Sequence, residues 1–394
     1  MMLYVLENVL MVEFLGLTFL IIASILNKKF LKITRIIAYI TMTGKTVWLD
    51  VLTPKQALLM HYLALRIRRK GYETFITCRK YDYTESLLKS YGENYISVGE
   101  HGGGALIGKL LASADRTLKL AKIISEIRPS ALISYPSPSG CRVAFGLKTP
   151  IVLLTPHAIA VNKLTLPLAK YVVFSKCISR KMFKPYITPR TKIVQYNGVE
   201  ELEWIINYRS PKKFRERTLA IVNVEEPFII FRPEETEAAY YKYKPIFHKV
   251  LEYLKSKFEG KIVFLPRYAH QKEYVLKYFK ENVIIPKDPL DLRVLYPKAS
   301  MVITGGATIA REAALAGVPS ISYFPVKTPI NECVSSWGFP LYNVHKWEAL
   351  KKKIDKILLG KVPRLSKNML RKMYSQLERP STIVMKILEE IDTV

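Results

Sequence analysis

The chain reads as a two-domain α/β protein in which each domain is a doubly wound parallel sheet. Three observations predict this. From residue 46 onward, short apolar runs alternate with helical stretches, the pattern of strands linked by crossover helices. The alternation lapses in a polar, basic stretch at 203–226 and then resumes, which divides the chain in two. Residues 296–325 spell strand, glycine turn, helix and strand in succession, an arrangement that builds binding sites in open α/β sheets.

In the first half, Val47-Trp48-Leu49 is a strand, 55–70 has helical periodicity, and Gly71 stops it. Next come a strand at 74–77, a helix at 83–91 ended by Gly92, and a strand at 95–98. The glycine loop Gly102-Gly103-Gly104 leads into a long helix through Ile127, which Arg128-Pro129 ends. Strands are expected at 131–134, 151–154, 171–174 and 193–196, and Tyr196-Asn197-Gly198 reads as an interdomain turn with Gly198 as its hinge. The second half opens on a strand at 228–231, a helix over 240–258 and strands at 261–265, 283–285 and 301–303. After Tyr342 the chain is mainly basic helices, the last of which, 382–391, is placed back against the first domain. The resulting division is 1–45 apart, a first domain at 46–202, a connection at 203–226, a second domain at 227–375 and a returning helix at 376–394.

The 296–325 stretch carries the most information. Gly305-Gly306 break the apolar strand, Thr308 can cap the helix after the turn, and Gly317-Val318-Pro319 ends that helix. Two bare glycines at a helix N-terminus let backbone N–H groups approach an anion, and the helix dipole favours one there. Glu312 lies about two turns into the helix, where a carboxylate suits hydroxyls rather than phosphate.

Composition sets the outer bounds. A chain of 394 residues has room for two cores, and 49% hydrophobic with 11% aromatic residues excludes disorder. The net charge of +28 favours anionic partners: nucleic acid, anionic lipid or phosphorylated substrates, against the plainer reading of a basic surface. No basic cluster pairs with an aromatic RNA-binding signature, so nucleic acid is the weakest of these. Cys78, Cys141, Cys177 and Cys333 have neither zinc nor disulfide-framework spacing, which points to a reducing compartment. Residues 9–26 form an apolar run at the lower limit of a membrane span, with Lys28, Lys29, Lys32 and Arg35 after it. Two readings stand side by side. One is an anchor that leaves the domains on the inner, cytoplasmic face of the membrane; the other is an artefact of start-site choice, with Met42 as the true start.

Arg232 comes just after the strand at 228–231 and Arg267 just after that at 261–265, both at strand C-terminal ends where ligands bind. Either guanidinium can clamp a diphosphate; a surface salt bridge is the competing reading. Asp50, at the first strand end, is the candidate base of the first domain, with helix capping as its alternative. His101, beside the glycine loop, and His157, after the strand at 151–154, are the candidate acid–base histidines. A lipase-type reading of His101 fails because GxSxG is absent, and Leu110 stands where a P-loop needs Ser or Thr. No Asp-x-Asp lies at a strand end, so no metal site is expected, and the helix dipole and arginines must hold any diphosphate.

Many motifs in order, from about Thr46 to about Asn343, carry a resemblance. They include Trp48-Leu49-Asp50 with Thr53-Pro54, Gly99-Glu100-His101-Gly102-Gly103-Gly104, Asn197-Gly198-Val199-Glu200-Glu201, Arg232-Pro233, Leu265-Pro266-Arg267 and the Gly305 helix. The chain resembles an archaeal and bacterial family of unassigned function within the GT-B glycosyltransferases, whose two Rossmann-like domains face a cleft. It is similar in character to N-acetylglucosaminyl transferases and UDP-N-acetylglucosamine 2-epimerases. The resemblance implies a nucleotide-sugar substrate, most simply UDP-linked, and no cofactor. The Gly305-Gly306 turn would meet the diphosphate and Glu312 the ribose, with Thr308 a further candidate of the same donor site. The expected function is metal-independent glycosyl transfer to a glycan, lipid-linked or phosphorylated acceptor. A 2-epimerase is the first alternative, although His270-Gln271-Lys272-Glu273 is a weak echo of the cluster it needs. A non-catalytic sensor of nucleotide sugar or polyanion is the second.

Overall fold

The computed structural model describes residues 45–157, 162–206, 208–222, 225–237, 242–279 and 281–393. The 9–26 run lies outside the described residues. Among those described, no helix is long and apolar enough to cross a membrane.

Two parallel sheets organise the chain. The first holds β1 (Thr46–Val51), β2 (Glu73–Lys80), β3 (Tyr95–Glu100), β4 (Ala131–Ser134), β5 (Ile151–Leu154), β6 (Tyr171–Ser175) and β7 (Lys192–Tyr196), in the order β3-β2-β1-β4-β5-β6-β7. The second holds β8 (Phe228–Arg232), β9 (Lys261–Phe264), β10 (Val283–Ile284), β11 (Met301–Thr304), β12 (Ser320–Ser322) and β13 (Leu341–Asn343), in the order β10-β9-β8-β11-β12-β13. Strand order reverses between β1 and β4 in one sheet and between β8 and β11 in the other, which makes those two gaps the binding crevices.

Both sheets are covered on both faces, which explains their unbroken apolar runs. Every residue of β1 is buried, and its alternate side chains feed two cores: Trp48 on one side, Val47 and Leu49 on the other. The helix Pro54–Arg69 starts where Thr53 caps and Pro54 pre-sets φ, and it ends with Arg66, Arg68 and Arg69 at its negative pole. In the second domain the helix expected over 240–258 is described at Phe247–Lys257, with 242–246 non-helical and 238–241 outside the described residues. Pro245 disfavours helical backbone in the residue before it, and Ile246 stands at the cap.

The stretch between the sheets is itself helical in part, at Leu202–Ile206 and Lys212–Ile221. The helix Pro380–Asp392 returns to the first domain, where Arg66 donates to Ser381 and Tyr72 to Asp392. Gly198 serves close approach rather than hinge freedom. Glu378 clamps the turn by taking the Asn197 N–H and bonding its carbonyl, and a Cβ on Gly198 would run into the Glu378 carbonyl. Arg293 fastens the domains elsewhere: it pairs with Asp291 at 2.8 Å and donates to Tyr62 and Tyr91 of the first domain. Cys177, after β6, and Cys333, in the helix Pro329–Ser336, form a disulfide between the domains. The spacing of the cysteines gave no expectation of this bridge. Their 156-residue separation hid a partnership that only the docking of the two sheets creates. Cys78 and Cys141 are free and buried.

Candidate functional site

The second domain contributes the crevice between β8 and β11. The Gly305 N–H donates to the Arg232 carbonyl at 3.0 Å, so the turn after β11 is tied to the end of β8. Glu234 crowds Gly305 so closely that a Cβ there would lie 2.5 Å from its Cγ. Glu234 is held in turn by the Ile246 N–H at 2.7 Å and the Tyr323 hydroxyl at 3.0 Å. Arg267 reaches over the turn: a Cβ on Gly306 would be 3.2 Å from its Nη2. Arg267 also donates to Glu235 at 2.8 Å, which fixes its fork.

Arg232 is different. The residue is half-buried, and among the described residues no hydrogen bond or ion pair engages its guanidinium. Burial first, then the Arg267 charge, pushes its pKa down to about 10, and it remains a cation at neutral pH. The two guanidiniums lie within electrostatic reach of each other, and Glu235, already paired with Arg267, and Asp82 offset part of that repulsion.

Thr308 does not cap its helix. It is the first helical residue, and its hydroxyl accepts from Arg311 at 3.4 Å. Glu312 points at the domain boundary, where one carboxylate oxygen accepts from Trp204 Nε1 at 3.0 Å and the other from the Tyr296 hydroxyl at 2.7 Å. Burial raises its pKa. Each oxygen keeps a further lone pair for a ligand hydroxyl.

The first domain faces this crevice with the loop after β2. Tyr83 of that loop lies within electrostatic reach of Arg232, Glu312 and Arg267. His101 is exposed and packs its ring on Tyr81 at 4.7 Å. Partial burial, Arg79 and Lys109 lower its pKa.

Asp50 is not placed as a base. Its carboxylate is fully buried, paired with Arg116 at 2.6 Å and 3.1 Å, and accepts from Thr77 and Ser137 at 2.7 Å each. Burial would raise its pKa, but Arg116 and the hydroxyls overcome that and lower it. With its oxygens occupied and no path to solvent, it holds the β1–β4 crevice together. Arg116, far along the sequence in the helix Leu106–Ile127, carried no signal for this pairing.

His157 is better placed. Its carbonyl takes bonds from Thr155 and Asn162 at 2.9 Å each. Desolvation first, then the Lys55 and Arg311 charges, push its pKa down to about 4. Around it lies a network that sequence reading missed. Lys55 pairs with Glu200 at 2.8 Å, and Arg311 with Glu201 at 2.7 Å and with Asn331 at 2.7 Å. Glu200, Glu201 and Arg311 wall a cavity of about 10 Å³, room for one water, together with Ser175 and Tyr196. Glu200-Glu201 after Gly198 and Arg311 beside Glu312 were the available signals. Among the described residues, no three His, Cys, Asp or Glu side chains cluster to hold a metal ion.

Two Rossmann-like parallel-sheet domains with facing crevices define a GT-B-like protein, and solved structures agree on that fold. UDP-GlcNAc 2-epimerase of Methanocaldococcus jannaschii, in complex with UDP-GlcNAc and UDP, matches with a TM-score of 0.63 at 13% identity, covering 88% of this chain and 99% of the other. The Neisseria meningitidis UDP-GlcNAc 2-epimerase bound to UDP-GlcNAc gives 0.60 at 14%, covering 88% and 100%. Anabaena Alr3699/HepE in complex with UDP gives 0.55 at 14%, covering 89% and 100%. The chain belongs to the family described as "Protein of unknown function (DUF354)", whose profile matches residues 45–389. The uncharacterized protein MJ0665 of Methanocaldococcus jannaschii is 29% identical over 297 residues, covering 72% of this chain and 83% of the relative.

Proposed function

We propose that the chain is a GT-B-type glycosyltransferase that takes its sugar from a UDP-sugar and passes it to a lipid-linked or phosphorylated acceptor in the cleft. The observation that carries this reading is the Arg232 guanidinium, which no hydrogen bond or ion pair engages among the described residues, within electrostatic reach of Arg267, whose fork overlies Gly306. A nucleoside diphosphate is an anion of the right size for two guanidiniums and a helix N-terminus. Glu312 accepts from the ribose hydroxyls. His157, neutral at pH 7, takes the proton of the acceptor hydroxyl as its oxygen bonds to the anomeric carbon. The bond from that carbon to the diphosphate oxygen breaks, and Arg232 and Arg267 stabilise the leaving charge. Nucleotide sugars bind similar folds in structures named above, which supports the substrate class without deciding the reaction.

The test is calorimetric titration of the full chain with UDP, UDP-GlcNAc and a GDP-sugar. Micromolar binding that falls at least about tenfold in Arg232→Ala is expected, since one charge-assisted contact contributes roughly 1.5–3 kcal/mol. Folded protein that binds no nucleotide sinks the reading. With binding secured, UDP release that depends on an added lipid phosphate separates the transferase from an epimerase, which turns over without acceptor, and from a sensor, which does neither.

A further inference from the structure

The start of the helix Leu106–Ile127 is apolar on the wrong side. Leu106 is 85% exposed, Leu110 66% and Leu118 61%, and Ile107 and Leu111 lie beside them at 63% and 62%. Spacings of three and four place these residues on one stripe facing solvent. The inner side of the same helix does ordinary work, burying Leu120, Ile124 and Ile127. A protein surface seldom carries five large apolar side chains together at such exposure without a partner.

Position and charge specify the partner. The stripe begins directly after His101 and the glycine loop, on the cleft side of the first domain. The loop is folded onto the helix start: a Cβ on Gly102 would run into the Gly108 carbonyl, and one on Gly108 into the Gly102 carbonyl. Across residues 101–170 the acids are Asp115 and Glu126 alone, against nine Lys and Arg, and Asp115 is already paired with Lys119 at 2.7 Å. Lys109 stands within the stripe, and Lys163 is exposed beside Leu164, itself 65% exposed. The short helix Asn162–Thr165 that carries them packs against the helix next to Leu106–Ile127.

Glu85, Glu100 and Asp115 line the groove beside the helix, but Glu100 and Asp115 are paired with Lys80 and Lys119, and an apolar stripe bordered by lysines fits an anionic bilayer surface. The side chains enter the acyl boundary while the ammonium groups meet lipid phosphates. We propose that Leu106, Ile107, Leu110 and Leu111 form a membrane-docking face that presents the cleft to an anionic lipid surface. This docking is independent of residues 9–26 and of which reaction the cleft performs.

The test is co-flotation of the full chain with vesicles of phosphatidylcholine alone or with one third phosphatidylglycerol. Binding to the anionic vesicles is expected, weakened by salt, and at least about tenfold weaker in Leu110→Glu/Leu111→Glu, because the two apolar side chains no longer enter the acyl boundary. The thermal midpoint serves as the folding control, since both side chains are exposed. A second variant, Leu111→Cys labelled with an environment-sensitive fluorophore, reads the face directly. A blue shift with anionic vesicles supports docking. Unchanged emission overturns it even if residues 9–26 bring the chain to the vesicle. Self-association of the wild type that Leu110→Glu/Leu111→Glu abolishes, with no vesicle effect, overturns it in favour of a second copy of the chain.

Discussion

Arg311 and Glu201 meet at 2.7 Å across the domain boundary, and their side chains are only 2% and 1% exposed. Removing one partner leaves a buried charge unpaired, which costs about 3–5 kcal/mol. Arg311→Ala is therefore expected to lower the thermal midpoint by several degrees, and Arg311→Met with Glu201→Leu to recover much of the loss. Burial would raise the Glu201 pKa, but Arg311 and Lys55 bring it down to about 2. Its folded value lies below its unfolded one, so its contribution is present above the ordinary value of 4.5 and is lost as pH falls toward 2. Denaturant midpoints measured from pH 6 to pH 2 should fall more steeply for the wild type than for the double variant. Parallel curves would refute the assignment.

His157 should titrate far below an ordinary histidine. Desolvation comes first among the causes, with Lys55 and Arg311 next. Lys55→Met removes one cation and should move the His157 pKa upward, toward the ordinary value of 6.5. Ring-proton titration by NMR checks this, and an unmoved curve would show that Lys55 does not act on the imidazole. If His157 is the base, activity should persist down to about pH 5, and its acid limb should shift upward in Lys55→Met.

Asp50→Asn separates a structural carboxylate from a catalytic one. The substitution keeps the shape but strands Arg116 without its charge partner. A drop of about 3–5 kcal/mol in stability is expected from that buried cation, with nucleotide binding per folded molecule preserved. A variant as stable as wild type yet inactive would restore Asp50 as the base.

These three cases show where the sequence was readable. β1 and β11 announced themselves because a strand buried on both faces must be apolar throughout, and the Gly305 turn because strand, glycine and helix are neighbours in the chain. Arg232 and Arg267 could be proposed because strand ends in parallel sheets have a known use. Long-range pairing stayed hidden. Asp50 with Arg116 spans 66 residues, and Arg311 with Glu201 spans 110. A carboxylate at a strand end looks the same in sequence whether it meets substrate or a guanidinium. Thr308 was misread by one position, since a threonine near a helix start suits both cap and first turn.

The same blindness applied to Cys177 and Cys333, and their disulfide yields the remaining prediction. Cross-linking residues 156 apart removes loop entropy from the unfolded chain, up to about 5 kcal/mol in the chain-entropy model. Denatured, unreduced protein should show two reactive thiols, from Cys78 and Cys141, and four after reduction. Cys177→Ser should lower the thermal midpoint of air-oxidised protein and leave that of reduced protein nearly unchanged. The comparison matters because the bridge joins the two domains at the helix that carries Asn331, a partner of Arg311. If the bridge also holds the cleft at one width, nucleotide affinity will differ between oxidised and reduced wild type but not in Cys177→Ser. Four free thiols in denatured, unreduced protein would remove the bridge and leave the Arg311, Arg293 and Glu378 contacts as the ties between the domains.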